Sequence, residues 1–521
     1  MKTRFLVFLY ALFIVSNVNA QSRVFKQVGN GVSTSLHSIM QDGSLVGYLT
    51  FTELEKASKD SFNYEITIMD ENLNDIGKVK FRQQKLSLRD VAFEQDILCL
   101  AYIKSDVLGT TAKHKISYKI AAKKGYVSFF AQFINLQGEI TKTFEKKADV
   151  DIYVALREYE AGIRPFKQDI QLKNISGVGF AAFYGDKTKR SLLTFNTAGE
   201  KIGERQVKEI AVSYYLHTAG NDIYLLTRGA EEYGNGSGYT LYGYSGNAAS
   251  PTLKLLLRDK KGRSLDILGF GNDPATGKLF ISGIIARQFW DNSMNDIYEI
   301  YTGAFRGVFK MDINGAHKED VKTAYFCWAD STSNHNITNE GYISSVQGHI
   351  VPRPSFRDFD GNTYFLGTRL TAKRNRGAII AGSIMSPLLI PSCIMLATGA
   401  FGSYSFDDVL LMQMDKNGKL SYVDSIGTEL YKRKNAAPIF KMADNCSFYS
   451  LTNPDTKTSF LIVKGEKDIT IYNVHEKKIV RKIARNNNEV KTNIYPAKDG
   501  HIIVSEYDEK EKSTRLSIEA I

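Results

Sequence analysis

The amino-acid sequence predicts an all-β fold: a β-propeller of seven or eight four-stranded blades, eight favoured over seven, with its ring closed by an N-terminal strand. Three observations lead there. A hairpin signature ending in glycine recurs: ITIMDENLNDIGKV, FFAQFINLQGEI, LLTFNTAGEKI, LKLLLRDKKGRS, VFKMDINGAHK and LLMQMDKNGKL. Its glycines, Gly77, Gly138, Gly199, Gly262, Gly315 and Gly418, are separated by 61, 61, 63, 53 and 103 residues. A turn followed by an almost unbroken apolar run recurs eight times: DGSLVGYLTF, QDILCLAYIK, VGFAAFYGD, NDIYLLTRG, GKLFISGII, GNTYFLGTR, NCSFYSLTN and DGHIIVSEY. Finally, 28 Tyr and 30 Phe, with 41 Gly against 10 Pro, suit strands and turns rather than a disordered chain.

Each signal has a physical basis. A tight hairpin needs a residue that tolerates positive φ, which glycine supplies without a Cβ clash. Asp or Asn earlier in the turn bonds the backbone two residues on. An unbroken apolar run reads as a strand covered on both faces, whereas alternation reads as a strand half exposed. Two hairpins in about 60 residues make one four-stranded sheet, and such sheets bury their faces by stacking around an axis.

In chain order, residues 1–20 read as a signal peptide. Lys2 and Arg4 precede the apolar run Phe5 to Val15, which is too short to span a bilayer, and Val18-Asn19-Ala20 fits a cleavage site. No cysteine lies there to accept a lipid. Residues 21–521 read as one propeller domain with blades at 31–83, 84–147, 148–207, 208–262, 263–325, 326–427, 428–487 and 488–521. The last is short, and residues around Ser22 to Val28 supply its missing strand. A long insertion falls near 370–405. Its charge-free run, 377–405, is interrupted by Pro387 and Pro391, so it reads as two buried strands, Ala378 to Met385 and Cys393 to Thr398. Membrane insertion is disfavoured.

The formal net charge is +11, but the basic residues are dispersed. The densest groups are Lys373, Arg374 and Arg376; Lys432, Arg433 and Lys434; and Arg258, Lys260, Lys261 and Arg263. With export, this pattern excludes a nucleic-acid partner. The four cysteines, Cys99, Cys327, Cys393 and Cys446, form no CxxC pair, and Cys99 reads as a buried thiol.

No GxSxG, HExxH or Walker loop is present, and no two of the eight histidines are two to four residues apart. MDINGAH, MDKNGKL and FRDFDGN faintly resemble calcium loops but are explained as turns. No cofactor and no metal site are expected. Asp151, Asp291 and Asp330 fall near strand ends, where a ring could gather acids at its axis. The candidate ligand-binding residues are Arg287, Trp290, Tyr301 and Arg306, in RQFWDNSMNDIYEIYTGAFRG, with Trp328 in FCWADSTSNHN. Aromatic faces beside polar groups suit sugars or peptides, and Trp and Arg are favoured at protein interfaces. The alternative is that these aromatics pack an insertion against the ring.

A signal ending in NAQS, the glycine-closed hairpins and the strand runs resemble uncharacterised secreted propeller-like proteins of the Bacteroidota. The resemblance implies export and a propeller-like fold and carries no catalytic residue. The expected function is a non-enzymatic binding or scaffold protein of the bacterial periplasm or cell surface, its partner an unknown protein, peptide or glycan. The alternative is a hydrolase or lyase acting on glycans or peptides through acids at the propeller axis.

Overall fold

The computed structural model describes residues 22–26, 33–41, 44–58, 61–106, 126–148, 170–185, 190–208, 211, 213–229, 238–246, 250–285, 306–328, 342–343, 348–374, 402–433, 447–453, 456–465, 467–485, 490–498, 500–508 and 510–521. They form eight antiparallel sheets arranged as a β-propeller, with one short 3-10 turn, Lys318–Asp320.

Blade 1 holds β2 (Ser33–Gln41), β3 (Ser44–Ser58), β4 (Ser61–Asp70) and β5 (Asp75–Gln83). Blade 2 holds β6 (Leu86–Glu94), β7 (Ile97–Ser105), β8 (Val127–Asn135) and β9 (Ile140–Ala148). Blade 3 holds β10 (Gln171–Ile175), β11 (Gly179–Gly185), β12 (Arg190–Asn196) and β13 (Lys201–Val207). Blade 4 holds β14 (Ser213–Ala219), β15 (Asp222–Arg228), β16 (Tyr239–Ser245) and β17 (Leu253–Leu257). Blade 5 holds β18 (Leu265–Asn272), β19 (Leu279–Ile285), β20 (Gly307–Ile313) and β21 (Val321–Cys327). Blade 6 adds a two-residue strand, β22 (Tyr342–Ile343), to β23 (Gly348–Arg357), β24 (Thr363–Arg374), β25 (Gly402–Met414) and β26 (Leu420–Arg433). Blade 7 holds β27 (Ser447–Asn453), β28 (Thr458–Lys464), β29 (Asp468–Asn473) and β30 (Lys478–Ala484). Blade 8 holds β31 (Val490–Pro496), β32 (His501–Asp508) and β33 (Ser513–Ala520), completed by β1 (Ser22–Lys26), with Ser22 opposite Ser517 and Lys26 opposite Ser513. The ring is thus closed by an N-terminal strand. Arg23 adds a side-chain tie, donating to Asp75 at 2.5 and 2.8 Å and to the Leu73 carbonyl at 3.0 Å in blade 1.

Burial follows position in the blade. The first strands, such as β6, β10 and β14, touch one another around the axis. Second and third strands are covered on both faces by neighbouring blades: Ile97–Ser105 is buried at all but its first position, and Val127–Asn135 at all but its last. Fourth strands alternate, as in Lys201–Val207. The hydrophobic core is therefore divided into eight clusters, one between each adjacent pair of blades, including the pair of blades 8 and 1. Aromatic pairs join blades, for example Phe129 with Tyr184 at 4.8 Å and Phe183 with Tyr214 at 5.2 Å. Such contacts contribute about 1 kcal/mol each beyond area burial.

Seven of the eight apolar runs are the second strands of their blades. NCSFYSLTN is instead the first strand of blade 7, whose second strand is TSFLIVK. The boundary expected at 427/428 falls inside β26, because blade 6 carries longer strands than its neighbours. The glycine-closed turns divide three ways. Gly138, Gly199 and Gly418 join third to fourth strands at φ 89°, 77° and 84°. In each, an Asn or Asp three residues earlier accepts the glycine N–H on its carbonyl and the next residue's N–H on its side chain, as Asp415 does for Gly418 at 3.0 Å and Lys419 at 2.8 Å. Gly262, at φ 76°, closes the same turn but between blades 4 and 5. Gly77 lies inside β5 while Leu73 takes the left-handed position at φ 64°. Gly315 precedes the 3-10 turn and is not left-handed. FRDFDGN is a turn as expected, with Asp358 accepting Asn362 N–H at 2.8 Å.

Cys99 is fully buried and free; residues 378–385 and 393–398 lie outside the described residues. Among the described residues no helix is long and apolar enough to cross a membrane.

Candidate functional site: the axial cavity

A propeller's first strands are edge strands, and an edge strand carries N–H and C=O groups with no ladder partner. Here those groups are met by side chains reaching across from the neighbouring blade. Asp90 of β6 accepts Leu172 N–H of β10 at 2.8 Å, and Glu94 accepts Gly177 N–H at 2.9 Å. The Gln171 amide of β10 donates to the Tyr214 carbonyl and accepts Leu216 N–H, both at 2.6 Å, on β14. Thr218 of β14 returns a bond to the Asn174 carbonyl at 2.7 Å, and Asn272 of β18 donates to the Thr218 carbonyl at 3.1 Å. Blades 2 to 5 are stitched together along the axis. Burial raises the Asp90 carboxyl, opposed by Lys173, by its two backbone N–H donors and by His37.

The two faces of the ring differ. Links from first to second strands and from third to fourth strands are seven residues or fewer. Every longer connection leaves from the opposite face. On the short-turn face, around the axis, lies a cavity of about 720 Å³ whose described lining residues come from seven of the eight blades. That volume is in the range that holds a small-molecule ligand. Its polar wall includes His217, Asn272, Asp273, Thr276, Ser450, Thr452, Asn453 and His501, and its apolar surface Met40, Pro274, Phe359, Leu451, Phe460 and Pro496.

His217 is the most constrained of these. Asn272 Nδ2 is committed to the Thr218 carbonyl, so its Oδ1 faces His217 Nε2 at 3.0 Å and accepts from it. Nδ1 is then the unprotonated nitrogen of the neutral ring. Burial first, and then Lys173, push its pKa down to about 4, against the bond to Asn272. The Phe270 ring stands 5.2 Å away. His217 is therefore a neutral imidazole with an acceptor nitrogen.

Asp273 is the one side-chain carboxylate among the described lining residues. It is 7% exposed and already used. One oxygen accepts Ala275 N–H at 2.9 Å and Thr276 N–H at 3.0 Å; the other meets Arg357 of blade 6 at 3.1 Å. Arg357 also pairs with Asp312 at 2.5 Å and lies over Phe280 at 4.6 Å. This network ties blade 5 to blade 6 and holds Asp273 in place with three hydrogen bonds. Among the described residues no group of three or more His, Cys, Asp or Glu is placed to hold a metal ion.

Of the candidate residues chosen from sequence, Arg306 and Trp328 belong to the other face of blade 5. Arg306 is exposed just before β20. Trp328 follows β21, and its N–H donates to the Arg306 carbonyl at 2.9 Å. The Trp328 side chain is 2% exposed, stacked edge-on against Phe326 at 5.9 Å in the core between blades 5 and 6, so it packs rather than presents a surface. Arg287, Trp290 and Tyr301 lie outside the described residues, as do Asp151, Asp291 and Asp330. The cavity residues went unnoticed because each is an ordinary turn or strand residue. Only ring closure brings them together.

Fold and cavity define a class: an eight-bladed β-propeller with an axial pocket lined mainly by uncharged polar and apolar groups. Residues 1–202 match the profile of a family of unknown function, DUF6770; the match ends inside the third blade, in β13. No curated protein matches the chain. Solved structures similar in fold include the C-terminal WD40 domain of Sif2, at 10% identity and TM-score 0.42 over 91% of this chain and 92% of that one. The apo AztD structure from Citrobacter koseri aligns at 9% identity and TM-score 0.41, covering 91% and 96%. The WD40 domain of SCAP from fission yeast aligns at 9% identity and TM-score 0.40, covering 96% and 95%. At these values they carry no residue or role to this chain.

Proposed function

We propose that the chain is an exported, non-enzymatic binding or scaffold protein of the bacterial periplasm or cell surface, and that the axial cavity is its ligand seat. The observation that carries this reading is the cavity's chemistry. It is large enough for a ligand, its described lining comes from seven blades, and that lining is mainly uncharged hydrogen-bonding groups beside apolar surface. Cleavage of a glycosidic bond by paired acids needs two carboxyl groups about 5–10 Å apart. The described lining supplies one side-chain carboxylate, and it is locked in an ion pair. This favours binding over hydrolysis. The opposite face, which carries exposed Arg306, is the proposed contact for a larger protein, peptide or glycan partner.

The test is a thermal-shift screen of the full chain against neutral oligosaccharides, short peptides and small carboxylates. It is repeated with Thr276→Trp, which fills the cavity from an exposed turn position. At least one compound should raise the wild-type melting temperature and leave the plugged variant unmoved. Equal responses in both proteins, or none in either, would rule the cavity out as the seat.

A further inference from the structure

The cavity's lining discriminates between ligand classes, and the following rests on the reading that it is the ligand seat. A charged ligand entering a site away from water needs a counter-charge, or it loses its hydration uncompensated. Among the described residues no Lys or Arg lines the cavity, and the one side-chain carboxylate, Asp273, shares Arg357 with Asp312. Acidic sugars, and the carboxylate of free short peptides, are poorly served.

The lining offers hydroxyls and amides instead: Thr276, Ser450 and Thr452, with Asn272 and Asn453. These groups pair with ligands that both donate and accept. His217 adds a fixed acceptor, because its Nε2–H is engaged by Asn272. That nitrogen calls for a ligand O–H or N–H. Phe359, half buried in the turn after β23, gives an aromatic face at the wall, and Met40 and Pro496 add C–H surface. The turns at Gly220, Gly277 and Gly500 also line the cavity, and no neighbouring atom lies within 4 Å of where their side chains would begin. A flat, hydroxyl-rich ring can approach the backbone there.

We propose that the axial cavity binds a neutral saccharide, with a ligand hydroxyl donating to His217 Nδ1 and a sugar face resting on Phe359. The hydroxyls of Ser450 and Thr452 on the opposite wall bond further sugar oxygens.

Isothermal titration of the full chain with maltotriose, cellotriose and chitotriose, alongside trialanine and trigalacturonic acid, tests this. At least one neutral trisaccharide should bind with a dissociation constant of about 1 mM or tighter. His217→Phe, folded as judged by an unchanged melting temperature and near-ultraviolet spectrum, should weaken that binding about tenfold, the factor for one lost hydrogen bond. His217→Gln, which keeps an amide donor and a carbonyl acceptor, should lose less. Trialanine or trigalacturonic acid binding in preference, and blocked by Thr276→Trp, would overturn the saccharide assignment while leaving the cavity as a ligand seat. Binding by none of the five probes would overturn the assignment, and the plugged-variant screen then decides whether the seat itself stands. Trisaccharide binding unchanged in His217→Phe would overturn the role given to Nδ1.

Discussion

Gly138 and Gly262 close the same five-residue turn, with φ of 89° and 76°, yet they differ in what a side chain would meet. A methyl group on Gly262 enters open space, whereas one on Gly138 comes within 2.7 Å of the Lys78 backbone in blade 1. The left-handed conformation alone costs a non-glycine residue about 1–2 kcal/mol. Gly262→Ala should therefore lose about 1 kcal/mol in urea unfolding, and Gly138→Ala clearly more, because two blades must move apart. Equal losses would show that the blade contact is not tight. The sequence made both turns legible, since Asx chemistry and a glycine three residues on are local. It could not show that Gly77, inside a strand, is demanded by close approach: its Cβ would lie 2.2 Å from the Leu136 carbonyl oxygen of blade 2. Nor could it show that Trp328 turns into the core. In both cases the deciding neighbour is on another blade.

First and second strands were unequally legible for one reason. A second strand is buried on both faces, and its near-continuous apolar run is visible in one dimension. Blade 7 misled because its first strand, SFYSLTN, looks similar out of context. A first strand is short and mixed, and its value lies in side chains that satisfy a neighbour's open edge. Gln171 is the clearest case, bridging a carbonyl and an N–H of β14 with bonds of 2.6 Å each. Gln171→Ala leaves both backbone groups without that partner and should cost about 1–3 kcal/mol. Gln171→Glu keeps the acceptor but loses the donor toward Tyr214 and should fall between. A chemical-denaturation series places the three proteins in order; an alanine variant as stable as the wild type would mean that water replaces the amide freely.

The ring is held shut by β1 against β33, so closure joins segments from near the two ends of the chain. Removing residues 22–26 strips the outer strand from blade 8, deletes the Arg23–Asp75 pair and exposes the edge of β33. The shortened protein should melt at lower temperature and self-associate through the freed edge, both measurable by calorimetry and size-exclusion chromatography. A monomer of unchanged melting temperature would show that closure adds nothing. Repeat length narrowed the blade count to seven or eight, with eight favoured, but the cavity was not readable, because it exists only once several blades present their turns to a common axis.

The division between a short-turn face and a long-connection face also bears on how such a chain can diversify. Insertions in the connections that leave the second and fourth strands grow away from the pocket. One side of the disc can thus be remodelled across related sequences, while the lining of the cavity on the other side is left as it is.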